Sequence, residues 1–185
     1  MGGQRVRRRR ILAASSGFLA GAVAGCLDPP AGEDDPELGD PEPYVEVELS
    51  GIPGDPHLDP PVVHLVDGGI LEWVVESGSH DVTAYHPATY RNQQRIPEDA
   101  DPWTSAELIG EEASFDHQFD GEGVYDYACT THEDEGAVGS IVVGWPDPDD
   151  QPGLSPPSGE YPDAAIEELE RYNERVRKFL EEAHR

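Results

Sequence analysis

Cys129 and His132 stand three residues apart at the end of a strand-like run, Gly123-Val124-Tyr125-Asp126-Tyr127-Ala128, with Thr130 and Thr131 between them. A thiolate and an imidazole at that spacing can close on one ion from a single tight loop. A soft thiolate joined by two imidazoles in a trigonal plane is the donor set that favours copper in electron-transfer sites. The second imidazole must come from elsewhere. His80 is best placed, because it follows the Ser77-Gly78-Ser79 turn at the start of another strand. Zinc is the rival ion, since one Cys and two His also suit a tetrahedral site. The strand-plus-loop context and the lack of paired Cys spacings put copper ahead.

Only two cysteines exist, Cys26 and Cys129. If Cys26 carries a lipid, Cys129 has no disulfide partner, and a free thiol in an exported protein needs a reason. It is either a small buried core residue or a metal ligand or reactive thiol. Of the other histidines, His86 lies six residues after His80 and reads as a loop residue that could still sit near the metal. His117 alternates with Phe115 and Phe119 and reads as a partly buried, satisfied side chain, while His57, His64 and His184 show no pattern. There is no Ser-His-Asp order, nucleophile elbow or phosphate loop, so the chain does not read as an enzyme. The carboxylates are too numerous to nominate any acid–base pair and are taken as solvated surface.

The elements that must position these donors lie between residues 44 and 145. Strands are expected over 44–49, 62–66, 70–75, 81–85, 114–119, 124–128 and 138–143, with a turn at Asp67-Gly68-Gly69 between the second and third. Short strands punctuated by Gly-containing turns argue for an all-β sandwich. The stretch between Tyr85 and Ser114 is long for a loop and is expected to be functional or to carry minor structure. Residues 26–43 and 146–162 are rich in Pro, Gly and acidic residues and read as linkers. Residues 163–185 place Ile166, Leu169, Tyr172, Val176, Phe179 and Ala183 at spacings of three and four, which predicts an amphipathic helix. Such a helix docks on its own domain, frays in solvent or pairs with a partner helix.

The run Gly123-Val124-Tyr125-Asp126-Tyr127-Ala128-Cys129-Thr130-Thr131-His132, with Ser79-His80-Asp81-Val82 upstream, resembles the plastocyanin, pseudoazurin and halocyanin group of cupredoxins. The resemblance covers about residues 43 to 145. It implies a Greek-key β-sandwich, one copper ion per domain held by His80, Cys129 and His132, and one-electron transfer. Trp73, Phe115, Phe119, Tyr125 and Tyr127 match the group's core aromatics. One position departs from the pattern: the group has a Met five residues after its second His, and Ala137 stands there. The weak axial thioether is therefore missing. The expectation is an accessible axial position holding water or another weak oxygen or nitrogen donor, with His86, Gln93 and Gln94 as candidate sources.

At the N-terminus, Arg8-Arg9-Arg10-Ile11-Leu12 resembles a twin-arginine export signal, and Val23-Ala24-Gly25-Cys26 resembles a lipobox cleaved before a lipidated Cys. Residues 1–25 are therefore expected to be a signal and excluded from the fold. The expected place is the extracytoplasmic face of the cell membrane, with the lipid as anchor and membrane redox proteins as partners. After residue 25 the chain carries seven basic residues against 39 acidic ones, a net charge of 7 − 39 = −32. That charge disfavours nucleic acid and anionic lipid head groups as partners. It also suggests a halophilic, haloarchaeal source, because strong salt screens self-repulsion. A copper carrier or resistance protein without electron transfer is the main alternative function, and a fold kept for protein interaction is another.

Overall fold

The computed structural model describes residues 38–52 and 55–185. The signal and lipidation expectations, including Cys26, lie outside the described residues. Nine strands and one long helix follow in order: β1 (Glu42–Ile52), β2 (Asp55–Asp59), β3 (Val62–Ser77), β4 (Ser79–His80), β5 (Thr83–Ala84), β6 (Leu108–Ile109), β7 (Ser114–Phe119), β8 (Gly123–Ala128), β9 (Val138–Val143) and α1 (Asp163–Ala183).

The two stretches 62–66 and 70–75 do not form a hairpin about Asp67-Gly68-Gly69, as the sequence suggested. They are one sixteen-residue strand, β3. Gly68 takes a φ of +78°, a conformation open to glycine at little steric cost, and the strand bends there instead of reversing. Before the bend, Val62–Leu65 pairs in parallel with β9; after it, residues 69–74 pair antiparallel with β7. One strand thereby belongs to both layers. β1 runs parallel to β3, and β2, unforeseen in the sequence, folds back on β1. On the other side β8 pairs antiparallel with β9, and β5 with β8.

The alternation of side chains along β8 and β9 assigns their two faces. Tyr125, Tyr127, Ile141 and Val143 point into the main core with Val47, Leu49, Leu71, Trp73 and Phe119. Val124, Ala128, Val138 and Val142 point the other way, onto Ala165, Leu169, Tyr172, Val176 and Leu180 of α1. Every residue of both strands is consequently buried. The helix docks on its own domain, one of the three expected outcomes.

Residues 146–162 differ from the linker expected of them. Leu154 and Tyr161 are buried in the second core, and two short 3-10 turns, Pro148–Asp150 and Pro152–Leu154, structure the segment. Arg95 explains the attachment. Its guanidinium is fully buried, lies 2.8 Å from the Asp126 carboxylate of β8, and donates to the carbonyls of Gly153 and Ser155 and to Asn173 of α1. Burial pushes the Asp126 carboxyl up, against the pull of Arg95 and Ser140. At the end of β9, His64 of β3 bonds the carbonyls of Gly39 and Gly144 at 2.7 and 2.8 Å and meets Trp145 and Phe179 edge-on.

Candidate metal centre

His80 enters on β4, a two-residue strand paired with β6, so the long 85–114 connection supplies a strand that steadies the first imidazole. The ring packs on glycine backbone. A Cβ at Gly51 would lie 3.0 Å from Nε2 of His80, so any larger residue would displace the ring. Nε2 sits 2.9 Å from the carbonyl of Ser77. A carbonyl only accepts, so Nε2 carries the proton and Nδ1 presents its lone pair, the arrangement that fixes a metal-binding imidazole.

Cys129 follows directly on β8, and its loop is closed by backbone bonds from Cys129 N–H to the Ala137 carbonyl (2.9 Å) and from Ala137 N–H to the His132 carbonyl (3.2 Å). Sγ of Cys129 lies 3.5 Å from Nδ1 of His80 and 3.3 Å from Nδ1 of His132. The donor atoms of all three residues lie within 4.8 Å of one another. Donors that share one ion at about 2.0–2.3 Å stand roughly 3–4 Å apart, so the group fits a single small ion. His80 and Cys129 are buried and His132 is half-buried. His132 is thus the donor nearest solvent.

Two carboxylates hold the loops that carry these donors, and each directly follows a histidine of the group. Asp81 accepts at Oδ1 from the backbone N–H and the hydroxyl of Thr130, both at 2.9 Å, and at Oδ2 from the Thr83 hydroxyl. It joins the His80 segment to the Cys129 loop. Glu133, which is buried, accepts from the Tyr85 and Tyr90 hydroxyls at 2.7 and 2.8 Å and pairs with Arg91. Burial, aided by the charge of Glu133, pushes the Tyr85 phenol up and the Tyr90 phenol to about 12, so both remain neutral donors. Sequence reasoning missed both carboxylates. The one signal available was an acidic residue after each ligand-like histidine.

Ala137 is buried in the ligand loop and offers only a methyl group. The suggested axial donors are engaged elsewhere. Nδ1 of His86 accepts from Ala88 N–H, Gln93 bonds residues 156 and 158, and Gln94 bonds the carbonyls of residues 96 and 97. His117 is half-buried and stacks on Trp103 at 5.1 Å, and burial lowers its pKa.

No family model matches the sequence, and no curated protein is significantly similar to it. Solved structures are. The pseudoazurin of Sinorhizobium meliloti superposes with a TM-score of 0.56 at 21% identity, over 72% of this chain and 94% of that one. The pseudoazurin of Methylobacterium extorquens AM1 gives 0.55 at 25% identity, over 72% and 98%. That of Hyphomicrobium denitrificans gives 0.56 at 19% identity, over 72% and 98%. Nearly the whole length of each is matched by a sandwich whose one bent strand serves both layers and whose outer face is covered by a C-terminal helix. The chain has the cupredoxin fold.

Proposed function

We propose that this chain is a copper-binding, one-electron carrier, exported and held by a lipid on Cys26 at the extracytoplasmic face of the membrane, with membrane redox proteins as partners. The convergence of His80, Cys129 and His132 carries the reading. When bound, copper supplies one-electron chemistry by alternating between two oxidation states; the protein supplies position, burial and potential. Ser77, Asp81 and Glu133 hold the donor-bearing segments through bonds that do not depend on the metal, which favours a geometry that changes little between states. Burial of Cys129 and His80 keeps water from the inner side, and the half-buried His132 gives a partner its shortest approach. A lipid anchor raises the effective concentration of the domain near such partners. The excess of acidic residues supports a haloarchaeal source.

Loading with oxidised copper should produce a thiolate-to-copper charge-transfer band in the visible, and Cys129→Ser should abolish it. Colour that survives this substitution would overturn the ligand assignment. Ala137 favours a second reading, a copper carrier without electron transfer, because the loop lacks the thioether of the resembling group. Reversible voltammetry supports the electron carrier; rapid release of copper to a competing chelator without a reversible wave supports the copper carrier.

A further inference from the structure

The carboxylate of Asp81 faces the candidate thiolate as well as the loop it holds. Its Oδ1 lies 3.9 Å from Sγ of Cys129, while its hydrogen bonds all come from neutral groups, the Thr130 amide and hydroxyl and the Thr83 hydroxyl. None of the ion pairs among the described residues involves it. A thiol carries one proton, and around Sγ of Cys129 stand Nδ1 of His132 at 3.3 Å and Nδ1 of His80 at 3.5 Å as well as the carboxylate. A thiolate that binds a metal has lost that proton, and two anionic groups then face each other at short range, the sulfur buried and the carboxylate partly exposed. Their repulsion is relieved in proportion to the positive charge of the ion beside them. Like charges a few ångströms apart interact strongly where water is scarce.

We propose that Asp81 sets the charge of the ion that this centre prefers: it stabilises a divalent ion over a monovalent one and so holds the reduction potential of bound copper down. Reduction adds one electron from the partner and removes one unit of positive charge from a site facing the carboxylate, and that loss is what Asp81 disfavours. The inference rests on the copper reading for its redox consequence. Its charge preference is testable without electron transfer.

Asp81→Asn separates charge from structure. The Asn side-chain oxygen can still accept from Thr130, and its NH₂ group can donate to the Thr83 hydroxyl, so the loop bonds persist. The expected result is a roughly tenfold loss of zinc affinity relative to the wild-type chain. A rise in copper potential by the same factor is expected, about 59 mV for one electron. The melting temperature of the metal-free protein should stay unchanged. Asp81→Ser, which also lacks the charge, should move both readings in the same direction even if it is less stable. Shifts below threefold in zinc affinity and in potential for both variants would overturn the proposal and leave Asp81 a structural link only. A wild-type chain that binds zinc but shows no reversible copper wave would sink the electron-carrier reading instead; the zinc comparison then decides the role of Asp81 alone.

Discussion

Glu133 shows how much of the candidate centre depends on residues that touch no metal. It is buried directly after His132, and two phenols and a guanidinium from the 85–91 segment converge on it. Removing a partner from a buried polar network leaves the remaining groups unsatisfied, at about 1–3 kcal/mol each. Arg91 is partly exposed, so water can take over part of its bonding. Glu133→Ala should therefore cost about 2–4 kcal/mol, measured by chemical denaturation of the metal-free protein. It should also speed amide hydrogen exchange at Cys129 and Ala137, whose bonds close the ligand loop; unchanged exchange there would mean that Glu133 holds the fold without holding the ligands. The three residues that converge were legible in the sequence, because a Cys and a His three residues apart after a strand, with a further His after a glycine turn, are placed to meet. Asp81 and Glu133 were not. In a chain with 39 acidic residues, two that follow histidines do not stand out, and only the fold shows what they bond.

At the level of elements, β1, β7, β8 and β9 were readable and the composite features were not. Gly68 and Gly69 carry the signature of a hairpin turn, yet β9 waits on one side of β3 and β7 on the other, and that pairing favours a bend over a reversal. The strand over Val138–Val143 was expected with these bounds, but its covering by α1 on the outer face was not. The segment 146–162 looked like a linker by composition, and two residues, Leu154 and Tyr161, make it part of the core. The helix was predictable from its spacing; Phe179 packs partly buried against the second core as expected, Leu180, which the spacing did not include, is fully buried, and Ala183 is exposed. Because the helix supplies five of the thirteen buried residues of the second core, Leu169→Ala should destabilise the domain by about 2–5 kcal/mol. Leu169 is fully buried. A loss below 1 kcal/mol in urea titration would mean that the helix is only loosely docked.

The whole molecule is governed by its charge. Six carboxylates, from Glu98, Asp99, Asp120, Glu122, Asp149 and Asp150, line a single cleft of about 690 Å³ remote in composition from the His–Cys group. Arg177 reaches one of them, Asp149, at 3.2 Å. Lowering salt from 1 M to 0.1 M lengthens the screening distance from about 3 Å to about 10 Å, which lets these groups repel one another across the cleft. A loss of ~2 kcal/mol over that range corresponds to a fall in melting temperature of about 4–8 °C for a domain of this size. Circular dichroism melts at the two salt concentrations check it, and equal melting temperatures would contradict an adaptation to strong salt.

The double membership of β3 also has a bearing on when the protein can finish folding during its synthesis. Val62 pairs with Ser140, and the outer face of β9 is sealed only by residues up to Leu180. Contacts between segments so far apart in sequence form late and slowly. The main core therefore cannot close before Val143 has left the ribosome, and the second core must wait for Leu180, so the two layers are completed one after the other.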